Sequence, residues 1–590
     1  MSLNDNECSV EPKELARYVM NLDKIPKVLV DGMSNLTQSI ENFDSWFTWS
    51  SKNHKRKNNK ELFLSLGATE SLVNIMEWEF NKMLNRRTNL RRSRDKRVAV
   101  VGAGVSGLHV AGELIESGFE VTVFEKSNEL GGTWHNSIYP GAQCDVQGCL
   151  YTYARHQSFF ATPYLTHKQI REYLLNYAQD WGIEDQIQFG HSIRSAEWNE
   201  NRAIWDLEVI NLQTASSVHK EFEVLVIATG QLAKRNKPDF KNLAVYQGKY
   251  FHANEWPQDL IIENSNVNLV GLGASGLQIA EELVRKNNYV NLIYRTPPYI
   301  MESPYYRKSF DGTFSLLMRD SEAFRVIYRL WKFMESIEGN LQYLLRENTV
   351  LSGEYAENVR DQMRKSLGKE NTELEKLIPN YPLGAKRILL SDGSFFQNLK
   401  EKKIISYQSN EIDFYEYGIE TKDGVRVTSD ITIFATGFDS SRMFLGFPVK
   451  GSEEYLQDRW HDNGILNPKT YLGISISGFP NMFLMFGPNT NVVANGSNTY
   501  MAECQAAHIR QVLECMEEKN SHRVEISKKA MNEWQDKVDR LQFNYNWSSL
   551  DVPSWYRSKS GKVIANFPGN LSEYWNSAVH IKEGSYDFSS

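Results

Sequence analysis

Two glycine triplets of identical spacing, Gly102, Gly104 and Gly107 and then Gly271, Gly273 and Gly276, carry the first chemical information in this chain. Each stands between a β-branched run and an amphipathic one, RVAVV and LHVAGELIESG around the first, VNLV and LQIAEELVRKN around the second. That order reads as strand, turn and helix, and the three glycines have separate tasks. The first allows a tight turn, the second lets a pyrophosphate approach the backbone, and the third lets helix and strand pack closely. A helix N-terminus at that point favours a bound anion. The chemistry implied is the binding of two dinucleotides.

The acids and bases after each triplet differ. Glu125 closes the strand that follows the first helix, where a carboxylate accepts hydrogen bonds from a ribose 2′-hydroxyl. The corresponding place after Gly271 is Tyr294, followed by Arg295 and Thr296. A carboxylate there would repel a 2′-phosphate, whereas an arginine binds one through charge-assisted bonds. The first unit therefore fits FAD and the second fits NADPH.

The elements that must hold these loops recur as well. Each unit ends in an apolar strand closed by Ala-Thr-Gly, VLVIATG at 224–230 and ITIFATG at 431–437, and a hairpin precedes each. The second hairpin turns at Asp423-Gly424. Duplication of a whole nucleotide-binding unit is stronger evidence than either motif alone. The fold class expected is α/β, with two dinucleotide-binding (Rossmann-like) domains, a helical insert and an N-terminal helical extension. The boundaries expected are 1–95 for the extension, 96–240 for the first part of the FAD domain and 241–304 for the first part of the NADPH domain. An insert follows at 305–375, the NADPH domain resumes at 376–429, and 430–590 completes the FAD domain with a C-terminal segment. In the extension, Leu72, Val73, Met76, Phe80, Met83 and Leu84 share a helical face, and a second amphipathic stretch covers 35–49. Such a segment packs on the main body or on a partner subunit, so a homodimer through it is one expectation.

Composition narrows the class. A net charge of −7 over 590 residues argues against a nucleic-acid binder, and the basic runs at 51–60 and 86–97 read as solvated segments. Five cysteines without a CxxC or paired spacing read as reduced thiols in a reducing, cytoplasmic compartment. No window approaches the ~18 uninterrupted apolar residues that span a bilayer. There is no HExxH or clustered His/Cys pattern, so no metal site is expected.

Between the two units lies YQGKYFHANEWP, residues 246–257. With it the chain resembles the class B flavoprotein monooxygenases and, within them, the type I Baeyer–Villiger monooxygenases. Their fingerprint stands here as Tyr246, Gly248, His252, Trp256 and Pro257, with Tyr in place of the family's Phe. Further matching stretches are GGTWHNSIYPGAQCD (131–145), YPLGAKRILLSDGSFF (381–396) and YLGISISGFPNMFLMFGPNTN (471–491). SWYRSKSGKVIANFPGNLSEYW (554–575) looks like the members related to 4-hydroxyacetophenone monooxygenase, which also carry an N-terminal extension.

The resemblance implies a two-part reaction. NADPH reduces FAD; the reduced flavin then captures O2 as a C4a-peroxide that attacks a ketone and yields an ester or lactone. It implies Arg387 as the active-site arginine, Asp145 as its partner, Lys386 beside Arg295 at the NADP 2′-phosphate, and His252 and Trp256 in an inter-domain linker that couples the two sites. Gly132, Thr133, Trp134 and Ser275 join the cofactor-binding set, and Asn489, Val492 and Val493 are expected in the substrate pocket. Two other readings stay open at this point. One is oxidation of sulfur or nitrogen by the same flavin chemistry. The other is a non-catalytic nucleotide-binding scaffold.

Overall fold

The computed structural model describes residues 60, 63–64, 69–84, 94–232, 234–303, 305–310, 312–338, 344–347, 349–368, 371–372, 374–439, 446–494 and 496–589. Two five-stranded parallel sheets organise them, and they share one plan. In the first, strands Met482–Leu484, Val224–Ile227, Arg97–Val101, Glu120–Glu125 and Ile187–Phe189 lie side by side. In the second, the order is Lys249–His252, Ile431–Phe434, Asn266–Val270, Tyr289–Tyr294 and Ile404–Gln408. The central strands are β-branched and buried on both faces, as parallel strands covered by helices must be. The duplicated helices Val105–Glu116 and Ala274–Arg285 follow the central strands directly.

The sheets differ in the origin of one edge strand. The first sheet takes its edge from Met482–Leu484, some 250 residues beyond its neighbour Val224–Ile227. The second takes it from Lys249–His252, which precedes the rest of that sheet in sequence. The Tyr246–Pro257 stretch is therefore a sheet strand and the turn after it, and the expectation of an inter-domain linker is corrected. A second correction concerns the boundary at 429/430. Ile431–Phe434 hydrogen-bonds between Lys249–His252 and Asn266–Val270, so it belongs to the second sheet rather than to the completion of the first domain.

Antiparallel hairpins precede both Ala-Thr-Gly strands: His191–Asn199, Ile204–Asn211 and Ser217–Phe222 in one unit, Ile412–Tyr415, Gly418–Thr421 and Arg426–Thr428 in the other. The insert consists of helices Gly312–Asp320, Glu322–Glu338 and Val350–Leu367. A long helix, Asn498–Glu518, returns beside the first glycine loop, and strand Arg523–Ile526 pairs with Tyr586–Ser589 near the end of the chain.

Of the expected extension, helix Val73–Leu84 is described, and Ile75, Met76, Phe80 and Met83 are buried against the main body. The stretch 35–49, the basic run 86–93 and Cys8 lie outside the described residues. No helix among the described residues is long and apolar enough to cross a membrane.

The third glycine of each loop is fixed by sterics. A Cβ on Gly107 would lie 1.9 Å from the Gly102 carbonyl oxygen, and one on Gly276 would lie 2.0 Å from that of Gly271. Gly276→Ala is expected to cost about 1–3 kcal/mol by overpacking. Gly353→Ala, where an added methyl meets nothing within 4 Å inside a helix, should stabilise by roughly 0.5–1 kcal/mol. Thermal unfolding of both variants checks the pair; equal midpoints would contradict the steric argument.

Candidate active site

Both glycine loops open into a single cavity of about 2190 Å³, at the carboxyl ends of the two sheets. That is more than twice the roughly 300–1,000 Å³ usual for one drug-sized ligand. Its walls include Gly102, Gly104, Glu125, Gly132, Thr133, Trp134 and Asp145 from the first unit. From the second come Gly271, Gly273, Ser275, Arg295, Thr296, Lys386 and Arg387. Gly107 and Gly276 stand behind the wall, as their packing role requires.

The loops have the form of dinucleotide cradles. Gly102 and Gly271 hold φ of +109° and +115°, and a Cβ on either would strike the carbonyl oxygen of Ala228 or Ala435, at 2.6 and 2.4 Å. At Gly273 an added Cβ meets no protein atom within 4 Å, so the space is open to a ligand. Glu125 is buried, and its two carboxylate oxygens accept from the Ala103 and Ser127 amides at 2.8 and 2.9 Å. Each oxygen retains lone-pair capacity at the cavity edge.

Arg387 and Asp145 meet across the cavity. Asp145 lies in strand Gln143–Gln147, and Arg387 in the loop leading to Leu389–Ser391. The guanidinium Nε is 2.9 Å from Asp145 Oδ2, and Nη2 bonds the same oxygen. Both donors converge on one oxygen, so Nη1 has no protein partner among the described residues. Asp145 raises the arginine's pKa further above its ordinary value, which keeps it cationic at any working pH.

The loop that carries Arg387 is fastened from three sides. Tyr299 Oη donates to the Tyr381 carbonyl at 2.6 Å and Tyr381 Oη to that of Pro297 at 2.8 Å. Arg360 donates to the Pro379 and Tyr381 carbonyls at 2.8 and 3.2 Å, and Asn546 Nδ2 to that of Leu383 at 2.9 Å.

Lys386, the preceding residue, behaves in the opposite way. Burial and then the neighbouring Arg295 push its pKa down to about 8. Neither cation has a carboxylate partner among the described residues. Two cations held close without a counter-charge suit a polyanion.

Other expected residues fall in different places. Val492 and Val493 line the cavity. Asn489 does not, and its assignment to the substrate pocket is corrected. Its amide donates to the Val563 and Asn566 carbonyls at 3.0 and 3.3 Å, and its oxygen accepts from Gln535, so it is spent on packing. Gly248, His252 and Trp256 are likewise off the wall, although Asn254 between them lines it. Tyr246 folds over Gly248, where a Cβ would lie 2.2 Å from its hydroxyl, and that hydroxyl sits 3.1 Å from Ser429 Oγ. His252 Nδ1 accepts from the Asn254 amide at 3.1 Å, and burial lowers its pKa, so the ring is neutral. Trp256 packs edge-on against Phe251.

Sequence reasoning missed a polar bridge between the two units. Ser275 Oγ, expected at a cofactor, donates to Tyr139 Oη at 3.0 Å, and Tyr139 is 3.0 Å from Gln278 Oε1. Gln278 Nε2 donates in turn to the Gln143 carbonyl and to Tyr306 Oη, at 2.9 and 2.8 Å. A glutamine on the buried face of the second glycine-loop helix was the available signal.

Residues 95–319 match the family model described as flavin-binding monooxygenase-like. Over that stretch the chain is similar to the flavin-binding monooxygenase-like proteins. A Baeyer–Villiger monooxygenase of Pseudomonas aeruginosa is 29% identical over 493 residues, 81% of this chain and 88% of the relative. One of Streptomyces coelicolor is 27% identical over 488 residues, 81% of this chain and 90% of the relative. Among solved structures, a closed cyclohexanone monooxygenase superimposes with a TM-score of 0.73 at 20% identity, covering 84% of this chain and all of that one (100%). An oxidised steroid monooxygenase bound to NADP gives 0.72 at 22%, covering 84% and 99%. These likenesses carry the fold. They agree with the two parallel sheets and their paired glycine loops.

Tyr139→Phe removes the hydroxyl that joins the units and leaves Gln278 Oε1 short of a donor. The expected loss is about 1–3 kcal/mol, read as a lower unfolding midpoint. An unchanged midpoint would remove the bridge from the forces that hold the units together.

Proposed function

We propose that this protein is an FAD- and NADPH-dependent Baeyer–Villiger monooxygenase that uses O2 to convert a small-molecule ketone to an ester or lactone. The observation that carries the reading is the Arg387–Asp145 pair, standing in one cavity with both dinucleotide cradles. The first cradle, with Gly102, Gly104, Glu125 and the Gly132–Trp134 turn, would hold FAD. The second, with Gly271, Gly273, Arg295, Thr296 and Lys386, would hold NADPH. Bound FAD supplies the redox chemistry, accepting hydride from NADPH and activating O2.

The chain's own part is electrostatic. Arg387 keeps a permanent positive charge beside the reacting centre and offers Nη1 to negative charge that develops on the ketone oxygen. Asp145 fixes the plane of the guanidinium and keeps it from swinging into solvent. Fixed donors of this kind stabilise charge without reorganising at the moment of reaction. His252 and Trp256, at the end of the second sheet's edge strand, are proposed to couple movements of that domain to the flavin side through Asn254, which lies 3.4 Å from Ser137 Oγ. A reducing, cytoplasmic setting is also proposed, in keeping with the free thiols of Cys144, Cys504 and Cys515.

The primary test incubates the purified flavin-bound enzyme with NADPH, O2 and a panel of ketones and thioethers, with products identified by mass. Ester or lactone supports the reading; sulfoxide without ester overturns it in favour of heteroatom oxidation.

Arg387→Ala is expected to retain FAD and to permit its bleaching by NADPH. Ester formation should fall by roughly 10²–10³-fold, as for loss of one preorganised donor. Normal ketone turnover in that variant would sink the assigned role.

Lys386 gives a pH signature. Its folded pKa of about 8 lies below the ordinary 10.5, so above pH 8 the free protein carries it neutral. A 2′-phosphate would raise that pKa again, and binding then requires proton uptake. Affinity for NADP+ should therefore weaken as pH rises from 8 towards 10, by at most about tenfold per pH unit. NAD+ should show a flat profile over the same range, and Arg295→Ala should impair NADPH far more than NADH. Parallel profiles for the two nucleotides would refute 2′-phosphate recognition.

A further inference from the structure

The extension helix Val73–Leu84 enters a buried charge cluster that reaches the wall of the cavity. Glu79 on that helix is fully buried, and Arg329 of the insert helix Glu322–Glu338 is buried against it. Arg329 Nε and Nη2 each lie 2.8 Å from Glu79 Oε1. Lys82 lies 3.1 Å from Glu79 and 2.7 Å from Glu503, on the late helix Asn498–Glu518. Two acids and two bases balance in this cluster, which offsets the cost of burying each charge.

One donor of the cluster is spent differently. Arg329 Nη1 donates to the Thr152 carbonyl at 2.9 Å and to the carbonyl of Cys149. Both belong to the short helical turn Gly148–Tyr151 and its end, which continues directly from the strand that bears Asp145. Glu503 Oε1 accepts from the Ala154 amide at 2.8 Å, gripping the same segment two residues on. The turn it fixes exposes Leu150 and Tyr151 to the cavity, and Thr499 Oγ1 donates to the Tyr151 carbonyl at 3.0 Å. Trp78 of the extension packs on Tyr500 beside Thr499, and Phe333 of the insert packs on the same ring. On the insert helix, Lys332 and Ser336 follow Arg329 on one face and also line the cavity.

We infer that Arg329, oriented by Glu79 of the N-terminal extension, is a positioning residue for the wall that carries Asp145 and Tyr151. It makes the extension helix a structural part of the active site. Its catalytic consequence rests on the monooxygenase reading above; its structural content does not. Arginine is required because a single guanidinium must satisfy a carboxylate on one edge and two carbonyls on the other. Lysine keeps the charge but cannot span both.

The test compares Arg329→Lys with Lys82→Met in the flavin-bound enzyme. Lys82→Met removes charge from the same cluster but touches neither carbonyl. By hydrogen exchange, Arg329→Lys should speed the amides of 143–154 by about tenfold or more, with the 97–126 unit unchanged. Lys82→Met should lower the unfolding midpoint without that local signature. Equal loosening of 143–154 in both variants, or none in Arg329→Lys, overturns the inference. With phenylacetone as probe ketone, Arg329→Lys should form at least about threefold less ester per NADPH consumed, while NADPH bleaches its flavin at a rate within roughly twofold of the parent. Unchanged coupling alongside loosened amides also overturns it. If the parent enzyme makes no ester from any ketone, the functional reading fails separately, and the exchange comparison alone decides this one. Should Arg329→Lys not fold, Glu79→Gln, which frees the guanidinium from its anchor, is expected to give the same local exchange pattern.

Discussion

An ion pair between residues far apart in the chain sets the terms for the rest of the molecule. Asp145 follows the first glycine loop, and Arg387 follows the insert and belongs with the second unit's side of the cavity. Charges at a cavity wall pay a desolvation penalty unless geometry and further hydrogen bonds compensate it. Here the compensation is mutual, but only while the two loops stay within hydrogen-bond reach. Everything that fastens the Arg387 loop, Tyr299, Tyr381, Arg360 and Asn546, serves that distance. So does the bridge from Ser275 through Tyr139 to Gln278, which ties the second unit's glycine loop to the stretch just before Asp145.

The two sheets show how one plan was completed in two ways. Each has a fifth strand beside its Ala-Thr-Gly strand, which pairs the amides and carbonyls on that strand's outer side. The first sheet waits for Met482–Leu484, so the chain must leave, build the second unit and return before the first is whole. The second sheet takes Lys249–His252 on the way in. That explains why the 246–257 stretch lies where it does. Its Gly248 admits the Tyr246 ring, its strand closes the sheet, and the turn after His252 delivers Asn254 to the cavity. The 246–257 residues thus seat a domain edge, and the charged pair at the cavity, Asp145 and Arg387, comes from elsewhere.

Sequence reasoning reached what has a local signature. Glycine loops, terminal acids and bases of strands, and the Ala-Thr-Gly closures are fixed by short-range sterics, so spacing alone revealed them, and the family motifs then singled out Asp145 and Arg387. It failed where a residue's neighbours are remote. Asn489 reads as a pocket residue because the stretch around it does line the cavity. Its own amide is claimed by Val563 and Asn566, and no periodicity announces that. The boundary at 429/430 was misplaced because a buried parallel strand looks alike in either sheet. Ser275 lines the cavity as its place in the loop suggests, and only packing shows that its hydroxyl donates to Tyr139. The ion cluster of Glu79, Lys82, Arg329 and Glu503 is the extreme case. It joins three segments with no common motif, and no spacing in the sequence links them.

The adjacent pair Lys386 and Arg387 shows what the cavity does with charge. Both are cations on one loop, and their environments drive them in opposite directions. Arg387 finds Asp145, which holds its proton more tightly than usual, so its charge is a fixture. Lys386 finds burial and another cation, Arg295, and its pKa drops to about 8. Its charge is costly until an anion arrives. A paired cation suits transient charge, since its field is the same before and after the event. An under-compensated pair of cations suits a permanent anion, since binding relieves a cost already present in the free protein. In the proposed function, one loop thus separates a site that acts on charge as it develops from a site that recognises charge already there. The Asp145 carboxylate, set opposite one residue and not the other, makes the distinction.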